Sequence, residues 1–169
     1  FPSVAGGWRM IEESWLKDQK VLSNLKLRAS WGISGNAAID AYSTLTSLSA
    51  NTYYYYLGNT DVSGKIPSQL GNPNLTWEKT SSFNLGLDFG FLDGRISGSI
   101  DYYWNHTYDL LFYKTAPASS FPTVIDNIGK TKGQGLEISL MTDIIRTKDF
   151  DWTANWSYSH FKDEITELT

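Results

Sequence analysis

The 169 residues include no cysteine, which excludes a disulfide framework, a thiolate metal site and a cysteine nucleophile. Only two histidines occur, His106 and His160, and neither stands in an H-E-x-x-H spacing, so no metal site is expected. There is no G-x-S-x-G nucleophile elbow. Gly129-Lys130-Thr131 looks like the tail of a phosphate loop, but Val124 occupies the position of the required upstream glycine. Asp163-Glu164, the nearest thing to a catalytic carboxylate pair, reads as a solvated strand end. Asn74, Asn105 and Asn155 fit N-x-[ST], a three-residue pattern that reads here as a chance match. The reading at this point is not an enzyme, with no catalytic, cofactor-binding or metal residues. Basic charge is lacking too: a net charge of -4 and a pI near 5.1 argue against nucleic acid as a partner.

Long apolar runs are also missing. Mean hydropathy is -0.31, and nothing approaches the roughly 20 apolar residues of a spanning helix. This excludes a helical membrane protein but not a β-barrel, whose alternating strands average out in any hydropathy window. The first residues, FPSVAGGWRM, show no basic n-region, apolar h-region or cleavage site and no Met start. The chain therefore reads as a piece of something larger.

Aromatic residues are plentiful, at 15% with seven Trp and ten Tyr, and they follow a period of two. In 77–104, WEKTSSFNLGLDFGFLDGRISGSIDYYW, the residues Phe83, Leu85, Leu87, Phe89 and Phe91 alternate with Asn84, Gly86, Asp88 and Gly90. After the turn signal Asp93-Gly94, Ile96, Gly98, Ile100, Tyr102 and Trp104 alternate with Ser97, Ser99, Asp101 and Tyr103. The same pattern recurs in 25–35 (LKLRASWGISG), 136–144 (LEISLMTDI) and 150–159 (FDWTANWSYS), with a weaker strand at 4–12 carrying Val4, Trp8 and Met10 on one side. That makes six strands in an all-β, antiparallel chain. Each is near or above the 9–11 residues that cross a bilayer at a tilt, where soluble strands commonly have about 5–6.

The connections alternate as well. Those near 17–23, 92–94 and 146–148 are compact, whereas 36–75 and 113–132 are long and polar. Short turns at one end and long loops at the other are the wiring of a transmembrane barrel, with the long loops extracellular. At about forty residues the first long loop exceeds mere linkage. Its Tyr53, Tyr54, Tyr55 and Tyr56 are the candidates for contact with a ligand or a lid protein, because aromatic faces stack on sugar rings and fill peptide pockets. No Lys, Arg, Asp or Glu falls on the apolar face of the second to sixth strands as delimited above, as lipid requires. Phe89, Phe91, Phe150 and Trp152 gather at the short-turn end, and Trp77, Tyr102 and Trp104 at the loop end. They are read as two membrane-interface girdles. The alternative is a soluble secreted β-sandwich acting as a carbohydrate-binding module, whose apolar faces would form a core.

Three stretches carry a resemblance. KLRASWGISGN (26–36), GNPNLTWEKTSSFNLGLDFGFLDGRISGSIDYYWNHTYDLL (71–111) and NIGKTKGQGLEISL (127–140) closely resemble the barrel of SusC/RagA-type TonB-dependent outer-membrane transporters. The N-P-[ND]-L-x-W-E-x-T and G-L-D motifs fall on Asn72, Pro73, Asn74, Leu75, Trp77, Glu78, Thr80, Gly86, Leu87 and Asp88. The N-x-G and G-[VL]-E signature falls on Asn127, Gly129, Gly135, Leu136 and Glu137. Gly133-Gln134 departs locally from the usual Asn-Lys.

The resemblance implies a segment of about six strands from a plugged barrel of about 22. The plug, the TonB box and the remaining strands are absent from the chain. It also implies TonB-dependent uptake of oligosaccharides or peptides across the outer membrane of a Gram-negative bacterium. The implied partners are a SusD-like surface lipoprotein, the TonB complex acting through the plug, and outer-membrane lipid. In that setting Asp88 faces inward, towards a partner in the lumen.

Overall fold

The computed structural model describes residues 1–37, 39–57, 60–115 and 123–168, with the side chains at 50–63, 66 and 67 outside the described residues. The described residues form ten strands: β1 (Ser3–Arg9), β2 (Leu22–Asn36), β3 (Ser47–Leu57), β4 (Thr60–Gln69), β5 (Glu78–Phe91), β6 (Ile96–Tyr108), β7 (Leu111–Thr115), β8 (Thr123–Asn127), β9 (Lys130–Arg146) and β10 (Asp151–Glu167). Six of them form one antiparallel sheet in the order β1-β2-β5-β6-β9-β10. The six alternating segments of the sequence are these six strands, and sheet order follows chain order. From β2 onward they have 15, 14, 13, 17 and 17 residues, longer than a tilted crossing needs.

The alternation sets which residues share a face. β1 pairs with β2 so that Val4 lies opposite Trp31 and Trp8 opposite Leu27, whereas Gly7 lies opposite Arg28. The apolar residues of each strand thus fall in rows on one side, and the small and polar ones on the other. The tight turn between β5 and β6 is held from outside. Leu92 N donates to Val21 O at 2.9 Å, and Gly94 N donates to Ser23 Oγ at 3.1 Å. Leu92, Asp93 and Gly94 all take positive φ, at 53°, 55° and 83°.

Three features differ from the pattern read in the sequence. The first strand ends at Arg9, and Met10–Glu12 is a 3₁₀ turn rather than strand. Glu13 N closes that turn on Met10 O at 3.1 Å, Trp8 Nε1 donates to Glu13 Oε1 at 2.8 Å, and Arg9 pairs with Glu12 at 3.0 Å. Met10 therefore does not continue the row of Trp8. The long polar stretches also contain hairpins: β3 with β4, and β7 with β8. β9 begins six residues before Leu136, the first residue of the apolar run.

By compactness the chain divides into two units, one of Phe1–Ser34, Thr80–His106 and Thr131–Ile165, the other of Gly35–Lys79, Thr107–Lys130 and Thr166–Thr169. Neither has a conventional core within the described residues. Among the described residues Ile125, at 8% exposure, is the only buried large apolar side chain, while Trp8, Trp31, Trp104, Trp152 and Trp156 are all at least 38% exposed. A sandwich would cover the apolar face with a second sheet. Among the described residues that face is exposed instead: Val4, Trp31, Phe83, Leu85, Ile100 and Trp156 are all at least 37% accessible.

Candidate functional site

In the first unit, the polar face is organised around one arginine. Arg28 comes from β2, Asp88 from β5 and Asp101 from β6, three neighbouring strands. Arg28 Nε donates to Asp88 Oδ2 at 2.9 Å and its Nη2 donates to Asp88 Oδ1 at 2.8 Å. The same Nη2 donates to Asp101 Oδ1 at 2.8 Å. The planar fork of a guanidinium suits this two-point grip on a carboxylate, which a lysine cannot reproduce. Gly86 makes room for it: a Cβ there would lie 2.7 Å from Arg28 Cζ and would collide with Asp101 Oδ1. The three side chains remain 39%, 28% and 32% exposed, so the cluster is wet. Further along the face, Ser99 and Ser139 share a hydrogen bond at 2.9 Å. Among the described residues no buried side-chain polar atom lacks a hydrogen-bond partner. Asp88 does face a partner, and that partner belongs to this chain.

Replacing Arg28 with Met leaves two carboxylates side by side without their cation. Loss of the charged hydrogen bonds, discounted for partial hydration, is expected to cost about 1–2 kcal/mol. The urea midpoint of the full-length barrel in liposomes measures this. Adding Asp88→Asn should recover part of the loss, and an unchanged midpoint for R28M would contradict the assignment.

In the second unit, residues of the sequence signatures form a clasp. Asn127 Nδ2 donates to Thr76 O at 2.9 Å and to Asp109 O at 2.8 Å, while its Oδ1 accepts from Thr76 N at 2.8 Å. Asn72 Nδ2 donates to Ile125 O and Asp126 Oδ1, both at 3.1 Å. Glu78 accepts from Leu111 N at 3.2 Å and from Asn36 Nδ2 at 3.3 Å. Gly129 takes φ 107°, a region suited to glycine. The N-P-N-L-x-W-E and N-x-G signatures thus have a local physical job, joining the segments around β7 and β8 to the start of β5.

The aromatic candidates are placed as follows. Trp104 lies 5.4 Å from Phe83 and 4.2 Å from Tyr102 by ring centroids, and Phe89 lies 5.8 Å from Phe91. Phe150 and Trp152 are exposed at the start of β10, and Trp77 is exposed just before β5. Trp31 joins the first group, donating from Nε1 to Ser81 Oγ at 3.0 Å. Tyr53, Tyr54, Tyr55 and Tyr56 lie in β3, opposite Gly64, Ser63, Val62 and Asp61 of β4; their side chains lie outside the described residues. Among the described residues no cluster of three or more His, Asp or Glu is arranged to hold a metal ion. Arg28 and Asp101 escape a reading of the sequence as site residues. The only signal is a cation and an acid on polar positions of strands that turn out to flank the strand of Asp88.

Comparison with known proteins agrees with this geometry. Residues 1–168 match the family described as TonB dependent receptor-like, beta-barrel. The TonB-dependent receptor SusC of Bacteroides thetaiotaomicron is 44% identical over all of this chain and 17% of its own length. A TonB-dependent receptor of Formosa agariphila is 38% identical over 99% of the chain and 17% of its own length. The solved structure of the RagAB peptide transporter superposes with a TM-score of 0.86 at 32% identity, over 98% of this chain and 18% of that one. The chain thus spans about a sixth of the curated relatives it matches. A one-sided sheet of crossing length, with the family's signatures at its strand and loop junctions, belongs to the TonB-dependent receptor family, as a segment of a SusC/RagA-type β-barrel and not an enzyme.

Proposed function

We propose that this segment is wall and loop in a transporter that imports oligosaccharides or peptides across the outer membrane of a Gram-negative bacterium. A SusD-like surface lipoprotein lids the barrel and delivers the substrate. The TonB complex, acting on a plug elsewhere in the protein, opens the path. The observation that carries this reading is the asymmetry of the sheet. One face is bare and apolar; the other is polar and closes its own charges, as in Arg28 with Asp88 and Asp101. Lipid suits the first face and a hydrated lumen the second. The stretches 36–75 and 113–132 are the extracellular loops, where Tyr53 to Tyr56 contact ligand or lid. Trp77, Tyr102 and Trp104 mark one interface, and Phe89, Phe91, Phe150 and Trp152 the other.

Affinity purification of the tagged full-length protein from detergent-solubilised outer membranes tests the partnership. A surface lipoprotein should co-purify in near-equal amount, and uptake should fail in cells lacking TonB. A barrel that purifies alone and imports without TonB would refute the proposal.

A further inference from the structure

The strands run beyond the apolar alternation, and the extension alters the chemistry of the apolar face. β9 begins at Lys130 and β10 runs to Glu167. By strand alternation Lys132 therefore continues the row of Leu136, Ile138 and Leu140, and Lys162 and Glu164 continue the row of Trp156 and Tyr158. Next to them in the same unit lie Trp31, Phe83 and Trp104, at 38%, 37% and 42% exposure. Together these side chains line an open cleft of about 320 Å³. Its walls are aromatic, and its rim holds two ammonium groups against one carboxylate. Lys162 Nζ is 3.7 Å from Glu164 Oε2, which leaves Lys132 without an ion pair among the described residues.

A lysine facing lipid costs about 2–4 kcal/mol at the midplane and about 0–1 near the interface. Lys132 and Lys162 therefore belong at head-group depth, with their stems along the apolar wall. An anion attached to an apolar body satisfies both halves of the cleft, and a free anion only one. We propose that the cleft binds a membrane lipid whose phosphate headgroup is net anionic, with no cation of its own to balance it, the phosphate against Lys132 and Lys162 and an acyl chain along Trp31, Phe83 and Trp104. The proposal rests on reading this face as lipid-facing.

Native mass spectrometry of the full-length protein, titrated separately with dioleoyl phosphatidic acid, dioleoyl phosphatidylcholine and inorganic phosphate, tests it. Phosphatidic acid should bind best, and K132Q/K162Q should weaken it about tenfold while leaving phosphatidylcholine unchanged. K132R/K162R should retain binding, and Glu164→Gln should tighten it. Heat-modifiable migration shows which variants have folded; if the Gln pair does not, the Glu164→Gln comparison decides. Equal phosphatidic acid binding by the wild type and the Gln pair, or inorganic phosphate binding as tightly as the lipid, would overturn the proposal. A nitroxide at Leu85 separates the causes of failure. If oxygen does not relax it, the lipid-facing reading fails and the proposal with it; if oxygen does, only the head-group site is lost.

Discussion

Leu85→Arg in the full-length protein is expected to destabilise the barrel by about 2–4 kcal/mol, whereas Asn84→Arg should stay within about 0.5 kcal/mol. The two residues are adjacent in β5 and differ only in the side of the sheet they occupy. Leu85 lies in the row between Phe83 and Phe89, away from both strand ends, and is 39% exposed. On the proposed reading its solvent in the assembled barrel is hydrocarbon, where a guanidinium loses its hydration and meets no partner. Asn84 lies on the side of Arg28 and Asp88, where water and carboxylates are at hand. Urea unfolding from liposomes measures both. Equal costs at the two positions would mean that the faces do not see different solvents, and a larger cost at Asn84 would mean that they are assigned the wrong way round.

Gly98→Val should be nearly as damaging, for a steric reason. Gly98 stands on the apolar face of β6, and a Cβ there would collide with the carbonyl oxygen of Ser139 in β9. It would also lie 3.3 Å from Leu140 Cα and 2.8 Å from Phe89 Cζ. The Phe89 ring can swing aside, but the backbone of β9 cannot retreat without opening its ladder with β6. Overpacking of this kind costs about 1–3 kcal/mol, and the backbone contact places Gly98→Val towards the upper end. Gly6→Val is the control. That glycine, in β1, has no atom of this segment within 4 Å of its ideal Cβ, so added bulk there meets none of the six strands. The same urea titration should show a lowered midpoint for Gly98→Val and little change for Gly6→Val. Equal midpoints would contradict the close approach of β6 and β9.

The six sheet strands are legible in the sequence because the two faces of one sheet make opposite demands on alternate residues. Phe83 to Phe91 shows this directly: every odd position is large and apolar, and every even one is small or polar. The hairpins of β3 with β4 and β7 with β8 are not legible in the same way. The run Tyr53 to Tyr56 is continuous in one residue type, so it has no period to read, although tyrosine favours strands. The outer extensions of β9 and β10 are hidden because Lys132, Lys162 and Glu164 keep the strand period while abandoning its hydrophobicity. The partner of Asp88 is hidden for another reason. Arg28 is 60 residues away in sequence, and only the sheet order brings β2 beside β5. The signature residues Asn72, Glu78 and Asn127 can be recognised from the sequence, but their clasp of side-chain hydrogen bonds can be seen only in the fold.

The most direct test of the account is a nitroxide scan through 83–91 of the full-length protein in liposomes, reading relaxation by oxygen against relaxation by a water-soluble nickel chelate. A period of two is expected, with oxygen dominating at Phe83, Leu85, Leu87, Phe89 and Phe91 and the nickel chelate gaining at Asn84, Gly86, Asp88 and Gly90. Nickel accessibility at the odd positions, or no alternation, would contradict the claim that this sheet is a wall between lipid and a polar lumen.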